Sequence, residues 1–288
     1  MQGNLLVIGA RSLIGRRLRE AVRDWPGEVR FTSRRPLSGQ SLIFDLDHPE
    51  TFDPGLDFTH VVMCSPIWLA SEAVLQRLVQ LGMTRLVAFS STSRLTKGHS
   101  PEPAEREVVA QLAQGEAGIV DFCPRHGVAY TILRPTLIYD EGQDENVSQI
   151  ASLIRKLGFF PVCGQASGLR QPVHARDLAR AALQVLPAEA TFDRAYNLSG
   201  GEALTYRAMV ERIFTGLGRK PFIVSLPLQV WWFGLAVLDR IRPNKTLKRN
   251  LSMATRMNVD LWFDHAAATQ DFGYAPGPFQ PADFKPAS

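Results

Sequence analysis

The sequence predicts an α/β fold, a doubly wound parallel sheet with a smaller C-terminal lobe. Three observations predict it. Short, continuous apolar runs alternate with amphipathic segments through the first two-thirds of the chain, and such runs suit strands covered by helices on both faces. The first run enters a glycine turn that opens directly into a helical pattern. The alternation stops after Gly200, where Pro-punctuated segments begin. A strand–helix alternation of this kind implies parallel strands joined by crossovers.

Taken in order, the strands are Asn4–Gly9, Val29–Ser33, Ser41–Phe44, His60–Cys64, Arg85–Ser90, Ala129–Arg134 and Ala195–Leu198. Helical periodicity lies between them at Leu13–Asp24, Leu69–Gly82, Ala104–Arg125 and Arg176–Leu186. Thr205 reads as the N-cap of a helix ending near Gly216, and an apolar helix follows around Leu228–Ile241. The Gly- and charge-rich stretch Asp140–Asn146 leaves the sheet. The expected division is therefore residues 1–139 and 172–200 for the sheet domain, and 140–171 and 201–288 for a substrate-binding lobe.

Composition limits the function. With 288 residues and roughly 150 residues per domain, the chain is one large domain or two coupled ones. Hydrophobic residues are 45% and charged ones 21%, which supplies a full core and excludes disorder. A net charge of +4 is too small to argue for nucleic acid, while a pI of about 9.1 suits an anionic ligand. Cys64, Cys123 and Cys163 lie far apart, without the spacing of a disulfide framework or a zinc site, so no metal is expected and a reducing cytoplasm is the simpler reading. Met1–Asn4 has no basic n-region, and Leu5–Ile8 is too short for a signal core. Ser225, Pro227 and Gln229 interrupt the most apolar stretch, Phe222–Leu238. No transmembrane segment of ~20 residues is expected.

The strongest motif is Leu5-Leu6-Val7-Ile8-Gly9-Ala10-Arg11-Ser12-Leu13-Ile14-Gly15. Gly9 permits the turn, Gly15 lets helix and strand approach, and the helix N-terminus offers N–H groups to a pyrophosphate. Further segments lie in order along the chain. Phe44-Asp45-Leu46 follows the third strand, Cys64-Ser65-Pro66 the fourth, and Phe89-Ser90-Ser91-Thr92 the fifth. Leu133-Arg134-Pro135-Thr136 and Arg170-Gln171-Pro172-Val173-His174-Ala175-Arg176-Asp177 come later.

Together these segments resemble the short-chain dehydrogenase/reductase superfamily, in its extended, epimerase/dehydratase-like and atypical branches. The family pattern is Gly-x-x-Gly-x-x-Gly, and Ser12 stands at its middle glycine. The resemblance implies a Rossmann-type sheet and a nicotinamide dinucleotide held by Gly9, Arg11, Ser12, Leu13, Ile14, Gly15, Ser33, Arg34, Arg35, Asp45, Leu46, Cys64, Ser65, Pro66, Ser90, Pro135 and Thr136. Within it, Asp45 would accept from the adenine amino group. The second strand ends in Thr32-Ser33-Arg34-Arg35, with no acid for the ribose hydroxyls. A guanidinium suits a 2′-phosphate, and Arg11 adds a second. NADP(H) is therefore expected over NAD(H).

The resemblance also exposes a gap. The family's general acid is a tyrosine, with a lysine four residues later. Here Val108 and Leu112 fall at those positions, no tyrosine lies between Thr92 and Tyr130, and the only lysine in that span is Lys97. Thr92 matches the residue that polarises the substrate oxygen. Glu105 and Glu116 share a helix face with Val108 and Leu112; that reads first as the solvated edge of a core stripe, with Glu116 as a candidate proton donor beside it. Asn146, Arg170 and His174 are the substrate-side candidates.

Two functions follow. One is an NADP(H)-dependent epimerase, dehydratase or reductase acting on a nucleotide sugar or another small carbonyl or hydroxyl compound. The other is a non-catalytic NADP(H)-binding redox sensor or assembly scaffold. An open, polar cleft beside Thr92 favours the first; a cleft filled by Val108 and Leu112 favours the second. Leu75, Leu78, Val79, Val108, Val109 and Leu112 would serve a homodimer or an ordinary core. Arg240, Arg242, Lys245, Lys248 and Arg249, beside Trp231-Trp232-Phe233, would suit peripheral contact with an anionic membrane or a solvated loop.

Overall fold

The computed structural model describes residues 3–35, 41–231 and 253–282. The strands are β1 (Leu5–Ile8), β2 (Val29–Ser33), β3 (Ser41–Ile43), β4 (His60–Met63), β5 (Arg85–Phe89), β6 (Ala129–Pro135), β7 (Ile138–Tyr139), β8 (Phe160–Cys163), β9 (Leu169–Arg170), β10 (Val173–His174), β11 (Arg194–Leu198), β12 (Leu204–Thr205) and β13 (Ile223–Leu226). The helices are α1 (Leu13–Ala21), α2 (Glu72–Gln80), α3 (Ser93–Thr96), α4 (Pro103–Arg125), α5 (Val147–Leu157), α6 (Ala175–Val185), α7 (Tyr206–Gly216) and α8 (Ala266–Phe272).

Seven strands form one parallel sheet in the order β11-β6-β5-β4-β1-β2-β3. Sequence order reverses at β1, so a crevice opens between the C-terminal ends of β1 and β4. Side chains alternate across the sheet. Leu5 and Val7 point into the core shared with Leu18 of α1 and Leu178 and Ala182 of α6. Leu6 and Ile8 join Leu75 and Leu78 of α2 and Leu112 and Ile119 of α4 on the other face. All seven expected strands are present; β1, β4 and β5 are buried throughout, whereas β2, β3 and β11 toward the edges are only partly covered.

The lobe has a third core. Val147, Ala151 and Ile154 of α5 meet Met209, Val210, Ile213 and Phe214 of α7, with Phe160 and Val162 of β8 and the distant Phe279. The Thr205 cap holds: its hydroxyl accepts the Ala208 N–H at 3.0 Å. The two-residue strands were not legible, being too short to carry a period. The boundary drawn at residue 201 is crossed by α8. Ala268, Phe272 and Tyr274 return to the sheet core beside Tyr196 of β11.

The apolar stripe considered for a dimer is not one exposed face. Leu75, Leu78 and Leu112 are buried in the sheet core, whereas Val108 is 40% exposed. No helix among the described residues is long and apolar enough to cross a membrane. Trp232, Phe233 and the cluster Arg240, Arg242, Lys245, Lys248 and Arg249 lie outside the described residues.

Candidate active site

The turn after β1 has the geometry its glycines predict. Gly9 has φ +92°, and a Cβ there would stand 2.7 Å from the Ser65 amide. The loops after β1 and β4 thus touch backbone to backbone. A Cβ on Gly15 would stand 2.3 Å from the Gly9 carbonyl. Ser12 replaces a glycine without blocking the turn, because its side chain folds inward. Its Oγ donates to the Gly9 carbonyl at 2.9 Å and accepts from the Gly15 N–H at 3.0 Å, capping α1. Next to it, burial pushes the Cys64 thiol up; the Ser12 hydroxyl opposes this more weakly.

Two cavities adjoin this turn. One, of about 530 Å³, lies over the ends of β1, β2 and β4. Gly9, Arg11, Ser12, Ser33, Arg34, Arg35, Leu46, Cys64, Ser65 and Pro66 line it, as expected, together with Thr32, Phe44 and Asp47. The other, of about 610 Å³, continues past Arg11, Ser12 and Leu13 to Ser91, Thr92, Lys97, Thr136, Asn146 and Arg170. Arg11 and Ser12 border both, so one elongated cleft runs across the switch point.

Several expected residues lie elsewhere. Asp45 gives its carboxylate to the Asp47 N–H at 3.1 Å, and Asp47 reaches the cavity instead. Ile14 and Gly15 are buried under the turn and shape it without lining it. Pro135 contributes its carbonyl to Thr92, accepting both the Thr92 amide and hydroxyl at 3.1 Å. Ser90 faces away, and its hydroxyl donates to Glu116 Oε1 at 2.6 Å.

Glu116 is tied into a buried cluster of ion pairs beneath the cleft. Its carboxylate is buried and takes Arg134 Nε at 2.9 Å, Arg134 Nη2 at 2.5 Å and an ion pair from Arg94 at 3.4 Å. Glu105 is also ion-paired. Burial raises its carboxyl, but the Ser100 hydroxyl, Arg256 and Lys97 outweigh that and bring it down to about 2. Lys97 Nζ stands 3.3 Å from Glu105 Oε1. The two glutamates lie three helical turns apart on α4 and tie down the two ends of α3, through Arg94 and Lys97. This turn was absent from the strand–helix pattern, and its one signal was Lys97, the lone lysine of the region.

The substrate-side candidates divide. Asn146 lines the larger cavity at the start of α5. Arg170 borders it too, but its guanidinium donates to the carbonyls of Leu169, Arg256 and Val259 at 2.6–2.8 Å and lies against the Tyr206 ring. Burial lowers it to about 10. It is a tie between β9 and the segment after residue 253. His174 lines a separate pocket with Arg17 and Glu141. Its Nδ1 accepts the Arg176 N–H at 2.9 Å, so the neutral ring carries its proton on Nε2, 3.0 Å from Glu141. Asp140, the third potential ligand there, is held by Arg17. His174 and Glu141 thus pair with each other, while Asp140 pairs with Arg17.

The cleft fits a dinucleotide. Thr32 Oγ1 and Ser65 Oγ are buried without a hydrogen-bond partner at its wall, and buried polar atoms want one. Gly9 keeps the floor clear of side chains at the phosphate-binding turn.

Comparison with known proteins agrees. The model of the NAD dependent epimerase/dehydratase family matches residues 67–199. A 2-alkyl-3-oxoalkanoate reductase of Stenotrophomonas maltophilia is 26% identical over 157 residues, 52% of this chain and 47% of that protein. The chain thus aligns with about half the length of this curated relative. UDP-glucose 4-epimerase of Thermotoga maritima superposes with a TM-score of 0.70 at 16% identity, over 95% of this chain and 93% of that one. RMD of Pseudomonas aeruginosa, solved with NADPH, gives 0.67 at 16% over 95% and 93%. MoeE5, solved with UDP-glucuronic acid and NAD, gives 0.69 at 20% over 95% and 94%. Residues 67–199 carry the pattern of the NAD dependent epimerase/dehydratase family, and the chain as a whole shares the fold of these solved structures.

Proposed function

We propose that this protein is an NADP(H)-dependent enzyme of the epimerase, dehydratase or reductase type, acting on a nucleotide sugar or another small carbonyl or hydroxyl compound in a reducing compartment. The observation that carries this reading is the open cleft beside Thr92, bordered by Ser91, Lys97, Thr136 and Asn146 as well as by Leu137, Ile138 and Phe263. Val108 stands at the surface and Leu112 in the core, so neither fills the space left by the absent tyrosine. Residues Gly9, Ser12, Leu46, Ser65 and Pro66 would hold the dinucleotide, which when bound supplies or accepts hydride. Arg11, Arg34 and Arg35 line the adenosine end with exposed side chains and would take a 2′-phosphate. Thr136 and Asn146 border the reacting end. The three cysteines are free and buried, which suits a reducing compartment.

The missing tyrosine–lysine pair favours the other reading, a redox sensor or scaffold that binds NADP(H) without turnover. The test is nicotinamide absorbance with NADPH and NADP⁺ against UDP-glucose, UDP-glucuronate, a 3-oxoalkanoate and simple aldehydes. Substrate-dependent change in the band, faster with NADP(H) than NAD(H), supports the enzyme. Tight binding with no turnover on any of them supports the sensor.

A further inference from the structure

We propose that Lys97 is the catalytic acid of this cleft and that Glu105 is its positioning residue. The inference rests on the enzyme reading above and names the group that replaces the absent tyrosine. It comes from the geometry of α3. That turn begins beside Thr92 and ends at Lys97, and both border the larger cavity. Among the described residues, Lys97 is anchored on one side only: Nζ is 3.3 Å from Glu105 Oε1, with two-thirds of its side chain covered. Glu105 is itself fixed from three sides, by Lys97, by the Ser100 hydroxyl at 2.6 Å and by Arg256 at 2.5 Å.

Several other polar groups at or beneath this wall are already engaged. The Thr92 hydroxyl donates to the Pro135 carbonyl. Asp144 accepts from the Asn146 and Ser148 amides and the Ser148 hydroxyl at 2.6–3.1 Å. Glu116 is sealed under Arg134. Arg11 enters from the turn after β1 and Arg16 from α1, and a guanidinium does not give up a proton at ordinary pH. An ammonium does. Its ordinary pKa, about 10.4, is close to the value of about 10 for tyrosine, so it can protonate a nascent alkoxide with a similar driving force. Being cationic, it also stabilises the charge that develops on that oxygen.

In the reductive direction the step balances as follows. A hydride, with its electron pair, passes from a reduced nicotinamide to the carbonyl carbon. The C=O π pair moves onto oxygen. That oxygen forms an O–H bond as a Lys97 N–H bond breaks, leaving a neutral amine that solvent reprotonates. The carbonyl is reduced to an alcohol and the nicotinamide is oxidised.

The test uses the full chain and two independent readouts. The first is NMR of ¹³C-methylated lysines, with the Lys97 signal assigned by its loss in Lys97→Arg. Addition of NADPH should shift Lys97 and leave Lys156 and Lys220 in place. The second is turnover on a carbonyl compound the wild type reduces. Lys97→Met should bind NADPH as the wild type does and lose kcat by about 100-fold or more, the usual scale for a general acid, and Lys97→Arg should not restore it. Glu105→Gln should leave KM nearly unchanged. Removal of its negative charge makes the Lys97 ammonium a stronger acid, so the loss of activity at high pH should move to lower pH.

A Lys97 signal untouched by NADPH would overturn the proposal. So would a Lys97→Met enzyme that keeps its kcat, which would leave the enzyme reading standing. If the wild type binds NADPH and reduces nothing, the enzyme reading falls and this assignment falls with it.

Discussion

Ser12 Oγ accepts the Gly15 N–H at 3.0 Å, so the one departure from the family's glycine pattern is also the N-cap of α1. The same oxygen donates to the Gly9 carbonyl, which closes the turn on itself. A hydroxymethyl group at this position therefore supports the phosphate-binding turn instead of obstructing it.

Replacing Ser12 by alanine removes the cap and should lower stability by about 1 kcal/mol, read as a shift in the denaturant midpoint. Glycine should cost less than alanine, since it is itself a tolerated cap residue. Dinucleotide affinity should change little in Ser12→Gly, measured by calorimetry.

Arg11, Arg34 and Arg35 line the cavity where the 2′-phosphate of NADP(H) would lie. Arg34→Ala or Arg11→Ala should weaken NADPH by ~1–3 kcal/mol, the scale of a hydrogen bond to a charged group, and leave NADH nearly unchanged. Equal losses for the two cofactors would contradict the assignment.

Glu116 joins α4 to Arg134 of β6 and Arg94 of α3 beneath the cleft. Glu116→Ala leaves Arg134 half-buried beside a lost partner and should destabilise by about 3–5 kcal/mol. Thermal denaturation reads it directly. A small change would show that solvent reaches the pair.

Glu105 carries a pH dependence. Its folded pKa of about 2 lies below the usual carboxylate value. The stability it contributes is therefore fully present above the unfolded pKa, and it is lost as pH falls through the folded one. Between about pH 4.5 and 2, wild type should lose more stability than Glu105→Gln, measured by denaturant unfolding at each pH.

The sheet was legible because its signals are local. Leu5–Ile8 and His60–Met63 are apolar throughout, and Gly9 announces its own turn. The lining of the smaller cavity followed, since residues next to strand ends must gather at the switch point. Pairings across long sequence separations were not legible. Nothing near Arg170 signals that the carbonyls of Arg256 and Val259 will consume it, and nothing near His174 points to Glu141. Asp45 and Asp47 differ only in which one the local turn engages. Glu105 and Glu116 were correctly placed on one helix with the cleft region, but their role depended on α3, a turn too short to show a period.

The proposed function rests on a nicotinamide dinucleotide bound at the Gly9–Gly15 turn. The most direct test is calorimetric titration of the wild type and Gly9→Val with NADPH and NADH. The account predicts one NADPH per chain, weaker NADH, and no binding by Gly9→Val, whose side chain would enter the Ser65 and Cys64 backbone at a φ of +92°. Wild-type protein that binds neither dinucleotide, or a folded Gly9→Val that binds as well as wild type, would contradict it.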